Sequence, residues 1–205
     1  MVYCSTDDVK RYSQVTYTDL GFTSDSEFVT FLSTLISRAQ GMIDRYCGVP
    51  DGFFEPGGVT RTAELYDHDG GEILFLDYAP VISVSSLEQR TSGLGMTEVW
   101  EALTEGASND FIIYKAQGKI YFIKAVSAGY QKIKVTYVAG YASTPGDLAD
   151  VCAQLAANIL ANMVARGTVG VSIGEVSLSV KDLKESFTFE LTKILSPHVK
   201  RRVAT

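Results

Sequence analysis

Few stretches of this chain carry the residue types that do chemistry. Gly170-Val171-Ser172-Ile173-Gly174 has the spacing of a nucleophile elbow, and Asp182 and His198 follow it in the order a serine hydrolase uses. That mechanism needs a strand-to-helix turn above a parallel sheet, which exposes the serine and builds an oxyanion hole. Here strand-like residues follow Ser172, no strand–helix–strand repeats precede it, and His198 stands behind Pro197 in a tail. Hydrolysis is therefore the weakest functional reading. Asp67-His68-Asp69 offers metal-binding side chains, but a distant further ligand would be needed and no His or Cys cluster supplies one. A polar hairpin tip is the simpler role. Glu98, Glu101 and Glu105 alternate along a strand or loop, as a surface does, rather than pairing as acid and base. There is no Walker A motif and no dinucleotide fingerprint. The residues predict no catalytic site, no metal and no cofactor.

The elements that would position such groups also look built for packing. The chain has 205 residues, 46% hydrophobic and 20% charged, so it can bury a good core. A net charge of −6 argues against a protein that neutralises nucleic-acid phosphates. No apolar run is long enough to span a bilayer, and the N-terminus lacks the apolar core of a signal peptide. Cys4, Cys47 and Cys152 are odd in number and far apart, and read as reduced, packed thiols. Lys200, Arg201 and Arg202 put three positive charges into the last six residues of an acidic protein. They form either a solvated terminus or a docking peptide for an acidic partner.

Residues 133–167 are the centre of the plan. Ile133, Val135 and Tyr137 alternate with polar residues as a half-buried strand does, and Gly140 breaks the pattern. Thr144 is placed to cap a long helix, with Pro145 first and Asp147 near its positive end. Leu148, Val151, Cys152, Leu155, Ala156, Ile159, Leu160, Met163 and Val164 then keep helical spacing, and Gly167 is placed to end the helix. Its back carries Gln154, Asn158 and Asn162 beside an alanine ridge of Ala153, Ala157, Ala161 and Ala165, with no charge. Such a helix is covered nearly all round, by its own domain or by a neighbouring copy.

Upstream, Ser5 or Thr6 caps a short helix to about Tyr12. Ser24 with Glu27 opens an amphipathic helix marked by Phe28, Phe31, Leu32, Leu35, Ile36, Ala39, Met42, Ile43 and Tyr46, with Arg38, Asp44 and Arg45 off its apolar face. Residues 62–67 and 72–77 read as strands joined by a hairpin turn at 68–71. Further strands are expected at 80–89, 98–103, 111–115, 119–124 and 130–138. Many of the 11 tyrosines fall in or beside them, which suits packing or a carbohydrate- or peptide-binding face. After the long helix, 168–180 reads as a hairpin or loop. Asp182 with Glu185 opens a last helix with Leu183, Phe187, Leu191, Ile194 and Leu195 on one face, and Pro197 stops it.

The expected fold is α+β: a helical bundle domain with an antiparallel all-β insertion, barrel or sandwich, between the second and third main helices. The helical domain takes residues 1–58 and 141–205, the latter with the 168–180 hairpin and the 197–205 tail. The insertion takes 59–140.

The order of pieces resembles the head–tail connector (adaptor) proteins of tailed bacteriophages. The resemblance rests on TDDVKRY, LISRAQGMIDRYCG, LDYAPVISVSSLEQ and KVTYVAGYASTPGDLADVCAQLAANI. The strand running into YVAGY, a proline and a long helix is the most telling piece, and the β block looks like the insertion of longer family members. The resemblance implies a structural virion protein of the neck, without cofactor or catalysis, that assembles in the host cytoplasm. It implies a ring, a dodecamer, under the portal protein. That ring would extend a channel through which DNA passes without sequence-specific binding, and dock the tail or a stopper protein. On that reading His198, Lys200, Arg201 and Arg202 reach the portal. Ala153, Gln154, Ala157, Asn158, Ala161 and Asn162 meet a sister subunit. The competing reading is a virion module whose β domain binds a ligand or carbohydrate.

Overall fold

Ser5 opens the first helix, α1 (Thr6–Ser13), by a reciprocal capping box: its hydroxyl accepts from Asp8 N–H while the Asp8 carboxylate takes the Ser5 N–H. The computed structural model describes residues 2–93, 95–165 and 188–200. Ser24 caps α2 (Asp25–Cys47), accepting from Glu27 N–H at 3.3 Å. Glu27 does not close the box on Ser24; it reaches one residue further back, to the N–H and hydroxyl of Thr23. Gly48 ends α2 in the left-handed conformation at φ 70°.

The buried face of α2 is Phe28, Leu32, Leu35, Ile36, Ala39, Gln40, Ile43, Asp44 and Cys47. Two assignments made from spacing change. Asp44, expected off the apolar face, is 1% exposed, and Tyr46, expected on it, is 41% exposed. The stripe of a straight helix drifts over six turns, and by its last turn the inward positions are 40, 44 and 47.

The third helix, α3 (Gly146–Ala165), receives α1, α2 and α4 (Phe189–Leu195) against it. Its start differs from expectation. Thr144 does not cap it, since its Oγ1 is buried without a hydrogen-bond partner. The carbonyl of Pro145 instead accepts the N–H groups of Leu148 and Ala149. Thr188 caps α4 by accepting from Leu191 N–H, and Leu191 and Leu195 are buried. Pro197 does not end helical structure outright, because Ser196–His198 continues as a 3-10 turn. Several expectations lie outside the described residues: Gly167, the 168–180 hairpin, the elbow pattern around Ser172, Asp182 with Glu185, Leu183 and Phe187, and Arg201 and Arg202.

Between α2 and α3 run seven strands, all paired antiparallel: β1 (Val59–His68), β2 (Ile73–Phe75), β3 (Val81–Arg90), β4 (Trp100–Ala102), β5 (Phe111–Tyr114), β6 (Lys119–Phe122) and β7 (Gly129–Ala139). They form two open sheets, β1-β7-β3-β4 and β2-β6-β5, so the protein is α+β and no barrel closes. The expected hairpin of the first two strands does not form. Strand β1 lies on β7 and β2 on β6. The turn residues at 68–71 are real, with Asp69 Oδ1 accepting from Gly71 N–H, but they carry the chain from one sheet to the other. Central β7 alternates Ile133, Val135, Tyr137 and Ala139 inward, all 0% exposed.

The chain divides into two compact units: Met1–Phe54 with Thr144–Thr205, and Glu55–Ser143. Within the second, Gly57 N–H donates to Tyr141 O at 3.0 Å, joining the entering and leaving segments. A Cβ at Gly58, whose φ is +63°, would sit 2.2 Å from Ala139 O, so glycine is required there.

Candidate functional site

The helical unit has a polar knot at its centre. The Tyr3 hydroxyl donates to the buried Asp44 carboxylate and accepts from Phe54 N–H at 3.2 Å. Asp44 Oδ2 also takes the Gly52 N–H at 2.9 Å. The knot ties the segment before α1 and the loop after α2 to the last turn of α2. The thiols beside it are chemically quiet. Burial, with help from Asp44, pushes the Cys47 thiol up to about 12. Cys152 is raised by its hydrogen bond with Cys4 and by burial. All three cysteines are free and buried, packed as the sequence predicts.

Residues 196–200 rest on this unit. His198 Nε2 lies 2.7 Å from Asp147 Oδ2, its ring meets Phe54 edge to face at 5.8 Å, and its side chain is only 14% exposed. Lys200 N–H donates to Cys47 O at 2.8 Å. Residues 196–200 are thus a docked strap, with His198 engaged at the start of α3 rather than presented from a loose tail.

The polar back of α3 is partly covered by its own unit. Ala153 and Ala157 are buried, Gln154, Asn158 and Asn162 are half-buried, and Ala161 is exposed. Helix α1 lies over the first part, where the Tyr12 hydroxyl stands 3.5 Å from both Asp150 Oδ1 and Gln154 Nε2. Toward the end of the helix Ala161 is exposed and Val164 is 43% exposed.

In the strand unit, the Glu64 carboxylate accepts from the hydroxyls of Tyr66 and Tyr137, at 2.7 and 2.8 Å, and from Arg61 Nε. A register shift between Arg61 and Glu64, with Ala63 at φ 53°, aims it there. Burial alone would raise its pKa, but hydrogen bonds from Tyr66, Tyr137 and Arg61 outweigh that and hold it below the usual carboxylate range. A carboxylate held this way by three donors locks a sheet and makes a poor proton acceptor. Glu98 accepts from Trp100 Nε1 at 3.2 Å, and Glu101 binds Lys124 at 2.9 Å. Glu98 also lies 3.8 Å from Arg90.

Asp67-His68-Asp69 is not an exposed tip at its centre. His68 is 6% exposed and meets Phe122 edge to face at 5.1 Å, while Asp67 Oδ1 accepts from Gln131 N–H. Among the described residues, no three His, Cys, Asp or Glu side chains gather as a metal site. Gly70 N–H donates to His68 Nδ1, which leaves the proton on Nε2, and Nε2 is buried without a partner. Desolvation holds this imidazole below the ordinary histidine range, opposed by Asp69. The unfolded chain takes up that proton near pH 6.5, the folded one only at lower pH. Stability from keeping His68 neutral is therefore complete above about pH 6.5 and is lost as pH falls below it. The unfolding midpoint, followed by the single tryptophan, Trp100, is expected to drop between pH 7.5 and 5.5. His68→Gln is expected to flatten that drop; an unchanged slope would show that other groups cause it.

One surface escaped the sequence reading. On the β2-β6-β5 sheet, Ile73, Phe75 and Tyr114 point outward and are 43%, 45% and 49% exposed. These strands are three or four residues long, and β2 and β5 are apolar in both phases, so alternation could not tell the inner face from the outer. The available signal was the run ILFL at 73–76 itself, too apolar for a sheet with one wet face.

Residues 3–161 match the sequence model of a family described as "Head completion protein". No curated protein matches the chain. Among solved structures it is similar to a chain of "Neck of empty GTA particle computed with C6 symmetry", at 16% identity and TM-score 0.51, covering 97% of this chain and 90% of that one. It is also similar to chains of "Virion of native gene transfer agent (GTA) particle" (16%, TM-score 0.48, 97% and 90% covered) and "Neck of native GTA particle computed with C12 symmetry" (17%, 0.45, 84% and 84%).

Proposed function

This chain belongs to the head completion protein family and is a structural head–tail connector of the phage virion; we propose that it does this as a ring of copies seated beneath the portal. The ring extends the DNA channel and gives the tail, or a stopper protein, its docking surface. The observation that carries the reading is the family match over residues 3–161, which runs through both compact units. The GTA neck chain of similar fold comes from a particle with C6 symmetry, and that supports a ring of copies here. An acidic balance of −6 suits a wall past which DNA slides without sequence-specific contact. The protein assembles in the host cytoplasm and needs no cofactor. The family match does not favour a carbohydrate-binding role for the strand unit.

We assign portal contact to Lys200, Arg201 and Arg202, with His198, the fourth residue expected there, anchoring the segment at the start of α3. Sister-subunit contact falls to the back of α3, with exposed Ala161 at its centre and the half-buried Gln154, Asn158 and Asn162 beside it. The experiment is complementation. Particles made without this chain should hold packaged DNA and carry no tails; tailed, infectious particles would overturn the connector role. Supplying a chain with Lys200→Glu, Arg201→Glu and Arg202→Glu should restore folded protein but cut tailed particles at least tenfold. Full rescue would remove the basic residues from the portal contact.

A further inference from the structure

The strap of residues 196–200 closes over the ends of two helices. Helix α4 holds its near side through the buried Leu191 and Leu195. Lys200 N–H then donates to the carbonyl of Cys47, the last residue of α2. Carbonyls in the last turn of a helix lack partners within it and form its negative end. A basic segment crossing there brings both a donor and charge of the right sign. His198 makes the other attachment, at the start of α3. Asp147 Oδ2 accepts from its Nε2, while Oδ1 accepts from Leu148 N–H at 3.0 Å. The imidazole stands edge to face on Phe54, which is itself fully buried and donates its N–H to Tyr3.

The closed strap also fixes where the basic residues begin. A Cβ at Gly48 would lie 3.8 Å from the Lys200 Cβ, so Lys200 crosses the end of α2 on the side of Gly48. Arg45, three residues earlier, shares that side of the helix. It is exposed, and among the described residues it has no ion pair. Arg201 and Arg202 follow Lys200 directly in sequence. The end of α2 thus gathers positive charge in a protein whose net charge is −6.

Opening the strap would take the donor from Cys47 O and the imidazole from Asp147, and would bare the Phe54 ring. A partner that binds the basic residues with the strap closed avoids that cost, and avoids ordering a loose tail. We propose that the strap stays closed when Lys200, Arg201 and Arg202 engage the portal. An acidic protein surface of the portal then meets the end of α2. Arg45 is a further contact residue, and His198 and Asp147 are positioning residues that act through their shared hydrogen bond. The inference rests on the portal contact given above and adds to it which part of the folded subunit faces the portal.

The test measures binding of the purified full chain to DNA-filled particles made without it. Arg45→Glu should bind roughly tenfold more weakly than the parent, with an unchanged urea midpoint. Parental binding by that variant overturns the contact at the end of α2. His198→Ala and Asp147→Ala should each bind roughly tenfold more weakly, and the double variant no more weakly than either, because the two share one contact. His198→Gln, which keeps a donor for Asp147, should recover most of the loss. Parental binding by Asp147→Ala, or losses that multiply in the double variant, would overturn the positioning role. The combined Lys200→Glu, Arg201→Glu and Arg202→Glu chain separates this inference from the reading beneath it. If that chain binds like the parent, the portal contact itself fails. If it does not bind while Arg45→Glu and Asp147→Ala bind normally, only the closed strap and the α2 surface fall.

Discussion

Replacing Asp44 by alanine will cost the helical unit roughly 3–5 kcal/mol of stability, the scale for removing one member of a buried charged network. The carboxylate is 1% exposed and accepts from the Tyr3 hydroxyl and from Gly52 N–H. Alanine would leave both donors buried and short of an acceptor, and would open a cavity against the Cys47 side chain one turn on. A domain of this size is stable by only about 5–15 kcal/mol, so the variant should unfold at much lower urea. Tyr3→Phe removes the hydroxyl alone and should cost about 1–3 kcal/mol, because Phe54 N–H loses its acceptor. The two changes share one network, so together they should cost less than the sum. Equilibrium urea unfolding of the three variants checks this. A loss below about 1 kcal/mol for Asp44→Ala would mean that another acceptor takes over both donors.

The consequence of Asp44 was not legible in the sequence, although its helix was. Ser24, the apolar run from Phe28 and Gly48 fix α2 locally, since caps and spacing act within a few residues. What Asp44 touches comes from residues 3 and 52, and neither contact leaves a mark in local spacing. The strands show the same division. The long ones were visible from alternation, the short ones from apolar runs between turn residues. The partner of β1 was not, because β7 begins more than 60 residues later and the ladder and the Tyr66–Glu64–Tyr137 cluster that tie them leave no mark in local spacing. The turn at 68–71 has hairpin chemistry, but short β2 gains more from lying on β6, where Leu74 meets Ile120 in the core. On α3, the uncharged alanines and amides pointed to a covered face, and the structure covers it in part: Ala153 and Ala157 are buried, Ala161 is exposed. The sequence could not show that part of that cover comes from α1 of the same chain, through Tyr12.

That division makes Ala161 the informative position for assembly. Glutamate at Ala157 would put a charge where the side chain is 6% exposed, and the subunit itself would fail to pack. Ala161 is exposed, as is Val164 on the same end of α3. Ala161→Glu should therefore leave the unfolding midpoint within about 0.5 kcal/mol of the parent, as surface changes do. If this end of α3 meets a sister subunit in the ring, each contact would bury an unpaired carboxylate at a cost of several kcal/mol. About 3 kcal/mol per contact is already more than a hundredfold in affinity, and every contact around a closed ring carries it. The expected result is a folded subunit that is absent from particles, with tailed particles reduced at least a hundredfold. Circular dichroism of the purified variant and its amount in particles, read together, decide the matter. A folded Ala161→Glu chain that enters particles at parental levels would show that this face of α3 is turned away from its neighbours.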